Sequence, residues 1–486
     1  MEGDPKHPKR RKTAIGNIPY DVLREIFILC LPSSRYALTI RQPNPKLAPM
    51  LLCQVCSSWR IAALSSATLW SHLSFKLTLQ PVALADIGYR WAVLRREISF
   101  LRRWRTLHGS IAPSLSFSIK VLVQCNQRPD HQLLAEGTAN FILDYLSTAQ
   151  YLDVDVFFWQ FICDRIEDGY PIKFPNLHSL VRNQNASNLV DAVFQHSQMS
   201  IGNQPNLSPS ALRRLCINGD VLLDKAFPAH WSMLTSISMS EVDISLVFWY
   251  DILREVPQLE HGYFNINHIE CVFPITTIPN KCTHHRLATL FVELEDMREL
   301  VEFPLLQLFA NLHLPVLRTL SLSSHAESWS KHLAFTELNA ALASAPNITT
   351  LELRGDFLAL GSSRVNMLNI YTLVGAEPIW MSATRLAHLQ LEICHNHQRK
   401  PEEKLRNFVT HMFILENRWL SLAHAECTIR KITIVDRYLD KMEKFAMERI
   451  RLLRGKIQRV DFQITSDSDG KRAQEAWKEW GLKITS

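Results

Sequence analysis

Cys53-Gln-Val-Cys56 has the C-x-x-C spacing of a zinc or redox site, in which two thiolates share a metal ion or close a disulfide. A tetrahedral zinc set needs further ligands, and no second C-x-x-C exists to supply them. Cys282-Thr-His284-His285 and Cys394-His395-Asn-His397 would ligate a transition metal if the fold joined them; kept apart, they are ordinary loop side chains. Asp467-Ser-Asp469-Gly470 looks like part of a calcium loop, but Thr465 holds the first ligand position and Ala476 the place of the bidentate Glu, so it reads as a surface turn. No two glycines have the G-x-G spacing, and the phosphate loop, H-E-x-x-H and the nucleophile elbow G-x-S-x-G are missing. The expectation is a chain with no catalytic residue, no metal and no cofactor, and hence not an enzyme.

The composition agrees with a protein that folds and binds. Of 486 residues, 47% are hydrophobic and 21% charged, near the averages for globular chains. Lys and Arg number 53 against 47 Asp and Glu, and a net charge of +6 over this length is far from the dense positive field of nucleic-acid binders. The first thirteen residues lack the apolar core of a secretory signal, and nothing reaches the roughly 18 apolar residues of a membrane span. A cytoplasmic or nuclear chain, or one shared between both, is expected, its ten cysteines free thiols. The basic run Lys6 to Lys12 is a solvated tail or a nuclear import signal.

The elements nearest the C-x-x-C are helical. Pro19 suits a first helical turn, Asp21 complements the positive helix end, and Pro32 stops the helix. Its residues Val22, Leu23, Ile26, Phe27 and Cys30 form one wide apolar stripe. After a loop from Ser33 to Pro45, helical spacing returns at Leu51, Val55, Trp59 and Ala62, followed by Leu69-Trp70. Three short helices close only a minimal core, which leaves apolar surface for another protein.

Pro19-x-Asp21-Val22-Leu23-x-x-Ile26-Phe27, then Val55-Cys56-x-x-Trp59, then Leu69-Trp70, resembles the F-box, in the form abundant in mushroom-forming (basidiomycete) fungi. Ile18-Pro19 stands where the family usually has Leu-Pro, and the first interhelical loop is long. The resemblance implies a small all-α domain over residues 15–75 that binds a Skp-type adaptor, which bridges to a cullin and its RING partner. The positions that match the motif are Pro19, Leu23, Ile26, Phe27, Val55, Cys56 and Trp59. Residues 1–14 read as a disordered basic tail and 76–110 as a linker with a capping helix. That helix spans Tyr89 to Arg105, with Trp91, Leu94, Ile98 and Leu101 on one face and arginines on the other.

Beyond it, over 111–486, apolar-x-x-apolar-x-apolar recurs: Leu212/Leu215/Ile217, Leu234/Ile237/Met239, Leu287/Leu290/Val292, Leu317/Leu320/Leu322, Ile348/Leu351/Leu353 and Leu386/Leu389/Leu391. Fainter copies lie at Ile429 to Ile434 and Ile457 to Phe462. This is the strand half of a leucine-rich repeat, with helical stretches such as Glu337 to Ala343 backing the sheet. The ninth position holds Asp220, Glu295, His325, Asp356 and Cys394 rather than a regular Asn or Cys, so the expected α/β solenoid is irregular. An F-box followed by such repeats is the family layout of a ubiquitin-ligase substrate receptor with an unknown protein target. A repeat scaffold, or a nuclear, chromatin-associated interaction protein without a ligase role, is the competing expectation. Side chains at the third, fifth and seventh repeat positions should face outward, placing Glu293, Glu352, Arg354 and Glu392 on a target-binding face that favours a basic segment.

Overall fold

The computed structural model describes residues 18–30, 48–66, 69, 72–79, 92, 99, 114–121, 143, 149–155, 162, 165, 174, 176–183, 212–218, 229–270, 281–294, 308–324, 335–355, 384–393, 428–436, 451 and 461–465. Its helices and parallel strands make the chain α/β. Two compact units divide it: residues 1–187 with 206–211, and residues 188–205 with 212–486.

The first unit opens with helices α1 (Tyr20–Leu29), α2 (Leu52–Val55) and α3 (Ser57–Ser65). Pro19 caps α1 in an extended conformation, and its carbonyl accepts the first intrahelical bond from Leu23. The single second helix expected through Leu51, Val55, Trp59 and Ala62 is two, because Cys56 leaves the helical region (φ −160°, ψ 173°). The thiol of Cys56 then caps α3 by accepting the Trp59 amide at 3.5 Å. This break turns Leu51 and Val55 outward, while Leu52, Ala62 and Ala63 go in.

Four strands follow in the same unit: β1 (His72–Leu79), β2 (Ser114–Val121), β3 (Ala149–Asp155) and β4 (Ser179–Asn183), each parallel to the next in chain order. The boundary expected at residue 75 therefore falls inside β1. The helix expected over 89–105 and Trp70 lie outside the described residues, apart from isolated positions at 92 and 99.

The second unit holds a nine-strand parallel sheet, also in chain order. Its strands are β5 (Arg214–Asn218), β6 (Ser236–Ser245), β7 (His261–Glu270), β9 (Thr289–Leu294), β11 (Thr319–Ser324), β12 (Thr350–Gly355), β13 (His388–Ile393), β14 (Lys431–Asp436) and β15 (Asp461–Thr465). A separate parallel pair, β8 (Cys282–Thr283) with β10 (Leu312–His313), and helices α4 (Leu246–Glu255) and α5 (Phe335–Ser344) occupy connections. All six clear sequence copies supply a strand here, and the expected backing helix at Glu337 to Ala343 is the middle of α5.

Register explains the pattern. Leu290, Leu320, Leu351 and Leu389 face one another across four strands, as do Val292, Leu322, Leu353 and Leu391. The leading residues Leu212, Leu234, Leu287, Leu317, Ile348 and Leu386 are all buried beneath them. Each fully buried aliphatic side chain contributes about 1.5–3 kcal/mol, so this apolar column stabilises the unit in proportion to its length. On the connecting side, Trp249 of α4 meets Phe264 edge-on at 4.8 Å and donates its indole N–H to the Leu308 carbonyl at 3.2 Å.

Strand β7 escapes the motif because Gly262 stands where the other copies have Leu or Ile. Leu259 leads it, Phe264 completes it, and the Phe264 ring fills the space over Gly262: a Cβ there would lie 2.8 Å from Phe264 Cε2 and 3.3 Å from Leu290 Cδ1. Gly262→Ala should therefore cost about 1–3 kcal/mol by overpacking, with much of the loss recovered when Phe264→Leu is added. Urea midpoints of the two variants measure this, and an unchanged midpoint for Gly262→Ala refutes the packing account.

Candidate functional site

Two surfaces carry the residues singled out by the sequence. The first is the helical cluster of residues 18–66. Phe27 is fully buried, Leu23 nearly so, and the Phe27 ring lies 4.9 Å from that of Trp59. Tyr20 ties α1 to α3 through a hydrogen bond with Ser65 and another to the Ala62 carbonyl at 3.2 Å. The indole N–H of Trp59 is enclosed without an acceptor among the described residues. Of the motif positions, Leu23, Phe27 and Trp59 thus converge; Ile26 is half-buried, and Pro19, Val55 and Cys56 are exposed. Val22 and Cys30, expected in the same stripe, face outward.

What the motif did not mark is the outer surface. Nine large apolar side chains are exposed among the described residues, and seven of them lie in these helices or cap one: Tyr20, Val22, Leu29, Leu51, Val55, Ile61 and Leu64. Leu29 is 84% exposed and Ile61 68%. Monomeric proteins rarely leave a concentrated apolar surface uncovered. The signal available in the sequence was excess: more apolar residues on short helices than a core of that size can enclose.

The second surface is the polar face of the nine-strand sheet. Fifth-position residues form one register column: Cys216, Ser238, Tyr263, Phe291, Ser321, Glu352, Gln390 and Thr433. Glu352, expected outside, is 6% exposed, and its neighbours Ser321 and Gln390 are as enclosed. Side-chain alternation separates this column from the Leu, Ile and Val positions but says nothing about what crowds it. Glu293 belongs to the next column, in register with Asn265 on one side and Ser323 on the other, and Ser323 pairs with Arg354. The three glutamates therefore do not form one row. Glu293 is half-buried and accepts from the Tyr263 phenol at 2.6 Å and from Asn265 Nδ2 at 3.4 Å. Arg354 lies on β12 and Glu392 on β13, in register with Val435; their side chains lie outside the described residues.

The groups singled out for metal chemistry are otherwise employed. Burial pushes the Cys53 thiol up, whereas the Ser58 hydroxyl and the Trp59 amide lower that of Cys56, and both cysteines are unpaired thiols. His284 is almost fully buried. In the equivalent turns of other strands the leading amide donates to the carbonyl three residues back, as in Leu317 to Leu314 and Ile348 to Ala345. Ahead of β9 the His284 ring supplies that acceptor: Nδ1 takes the amides of Leu287 at 3.0 Å and Arg286 at 3.3 Å. With Nδ1 accepting, Nε2 carries the proton and donates to the Val256 carbonyl at 2.9 Å. Both ring nitrogens are committed, which removes His284 from any metal set. No group of three or more His, Cys, Asp or Glu among the described residues is placed to hold a metal. Residues 394–397, 467–470 and the ninth repeat positions lie outside the described residues. No helix among the described residues is long and apolar enough to cross a membrane.

No protein-family model matches the chain, and no curated protein matches it in sequence.

The His284 staple has a pH signature. Burial holds its pKa below 6.5, so the unfolded chain takes up a proton first as the pH falls, and stability declines below about pH 6.5 toward the depressed native value. The slope from this one ring is at most ~1.4 kcal/mol per pH unit. His284→Gln should be less stable than the parent at neutral pH and lose less on acidification. Denaturation midpoints at about pH 7.5 and about pH 5.5, spanning ordinary histidine titration, test it; equal losses in both proteins rule the staple out as a titrating element.

Proposed function

We propose that this chain is a non-enzymatic substrate receptor of a Skp-cullin-F-box ubiquitin ligase. The helices within residues 15–75 dock on the Skp-type adaptor, and through it on cullin, while the strand array presents a target protein. In this reading the chain is a small F-box domain followed by an irregular leucine-rich-repeat-like solenoid, acting in the cytoplasm, the nucleus or both. Its contribution to catalysis is proximity: ligase and target held on one body raise the effective concentration of the ubiquitin acceptor.

The observation that carries the proposal is the crowding of exposed apolar side chains onto the same short helices that carry the Pro19 to Trp59 pattern. Burying one such aliphatic side chain in a partner is worth about 1.5–3 kcal/mol at best, so several together suffice for a stable dock. The proposed target site lies on the in-register parallel strands over residues 214–465, whose fifth-position column is least enclosed at Tyr263 and Phe291. Glu293, Glu352, Arg354 and Glu392 remain its proposed target-binding positions, with the buried Glu352 the weakest among them.

Leu23 and Phe27 are poor probes of docking, since both sit inside the cluster: Phe27→Ala should cost about 3–5 kcal/mol and unfold the helices whatever they bind. Leu29→Asp, Ile61→Asp and Leu64→Asp together should leave the circular dichroism melt intact and weaken capture of the purified adaptor by about a hundredfold or more, because burying unpaired carboxylates costs several kcal/mol. A folded triple variant that retains adaptor and cullin refutes the docking surface. A parent chain that captures neither returns the nuclear scaffold reading.

A further inference from the structure

All strands of the second sheet run the same way, so the residues that open them line one edge. Register aligns the positions just ahead of the buried leading residues: Met233, Gln258, Arg286, Val316, Asn347 and Arg385, from β6 to β13. The turns stack as the strands do, since Asn347 Nδ2 donates to the Pro315 carbonyl at 2.6 Å and the Thr349 hydroxyl to that of Arg318 at 3.1 Å. Two independent observations single out this edge. Of the nine large apolar side chains exposed among the described residues, the two outside the helical cluster, Met233 and Val316, both stand in this row. The residues that open β9, β11, β12, β13 and β14 (286–289, 316–319, 347–350, 385–388 and 428–431) include four arginines and one lysine but no aspartate or glutamate. The whole chain is nearly balanced, with 53 Lys and Arg against 47 Asp and Glu, so the excess is local. Glu260 ahead of β7 and Asp461 at the start of β15 bound it. Arg286, Arg318 and Arg385 are exposed, and among the described residues none of the three guanidinium groups has an ion-pair or hydrogen-bond partner.

We infer that this edge docks an extended protein segment in which acidic side chains alternate with apolar ones, its carboxylates pairing with Arg286, Arg318 and Arg385 while an apolar side chain covers Val316. Neighbouring strands lie about 4.8 Å apart, so about five extended residues cross from β9 to β13. A guanidinium presents a planar fork that matches a carboxylate, and exposed pairs are weak singly, so the row acts as a set. An exposed Val beside guanidinium groups gains only from a partner that takes it out of water, which an acidic and apolar segment does. Nucleic acid fits worse, because those openings hold no Phe, Tyr or Trp on which a base could stack. The edge lies at the other end of the strands from Glu293 and Glu392, so it is additional to the proposed target positions and stands without the ligase reading.

The test uses the full chain and fluorescent peptides in which Glu alternates with Leu, matched to peptides with Gln for Glu or Ser for Leu and to an oligouridylate. Binding is followed by anisotropy at low and physiological salt. The Glu/Leu peptide should bind roughly tenfold tighter than the Gln/Leu peptide at low salt, three weak pairs acting together, with the difference shrinking as salt rises. Arg286→Gln, Arg318→Gln and Arg385→Gln should each weaken it by about two- to fivefold. Combined, they should erase the preference for Glu over Gln while the circular dichroism melt stays unchanged. Val316→Ser should reduce the advantage of Leu over Ser and leave that of Glu over Gln. Four results overturn the docking edge: equal binding of Glu and Gln peptides by the parent chain, no binding up to millimolar concentration, tighter binding of the oligouridylate than of the Glu/Leu peptide, or an undiminished Glu preference in the folded single or combined arginine variants. Adaptor capture is run alongside on the same protein. Capture without a Glu preference removes the edge and leaves the receptor reading, whereas a Glu preference without capture does the reverse.

Discussion

In the second unit the amide just before a strand donates to the carbonyl just before the preceding strand. Thr235 donates to Arg213, Glu260 to Thr235, Ala288 to Glu260, Arg318 to Ala288, Thr349 to Arg318, Ala387 to Thr349 and Arg430 to Ala387, all between 2.8 and 2.9 Å. An unpaired buried amide costs about 1–3 kcal/mol, so a slip of one residue anywhere would be penalised at once. It would also turn a Leu or Ile from the enclosed face to the opposite one. Backbone pairing and the apolar column therefore enforce one register, and every feature of the polar face inherits its position from that agreement.

That constraint also explains which elements could be read beforehand. Strands whose inward positions are all Leu, Ile, Val or Met announce themselves, as at Leu317/Leu320/Leu322. At β7 the inward position is Gly262, and its volume is supplied by the ring of Phe264 from along the same strand, so the packing is normal while the pattern is broken. In β1 to β4 the triplet is blurred: Trp70, Ala112 and Ala149 stand where the clear copies lead with Leu or Ile, and Arg182 closes the one that Leu177 begins. In the helical cluster, spacing identified Leu23 and Phe27 but continued a helix through Cys56, where a thiol cap breaks it. Of the polar face, alternation gave orientation only. Which carboxylate is enclosed, as Glu352 is, and which is held by a phenol, as Glu293 is, depends on residues one strand away and roughly thirty positions distant.

The two candidate surfaces follow opposite physical strategies. The helices around α1 and α3 leave aliphatic groups in water, an arrangement that gains most when a partner removes them from it and that depends little on salt. The face around β7 and β9 instead carries two aromatic rings and a carboxylate held by a phenol.

The strands of the second sheet start at Arg214, Ser236, His261, Thr289, Thr319, Thr350, His388, Lys431 and Asp461, so the interval stretches from 22 residues (214 to 236) to 43 (388 to 431) while register is kept. Because each strand is held only by its sequence neighbours, an excursion between two of them changes no other pairing, and the entropy of a longer closed loop rises only logarithmically. Changes of length should therefore be borne best between β12 and β13 and between β13 and β14, the two longest intervals, making them natural sites for peptide-tag insertion.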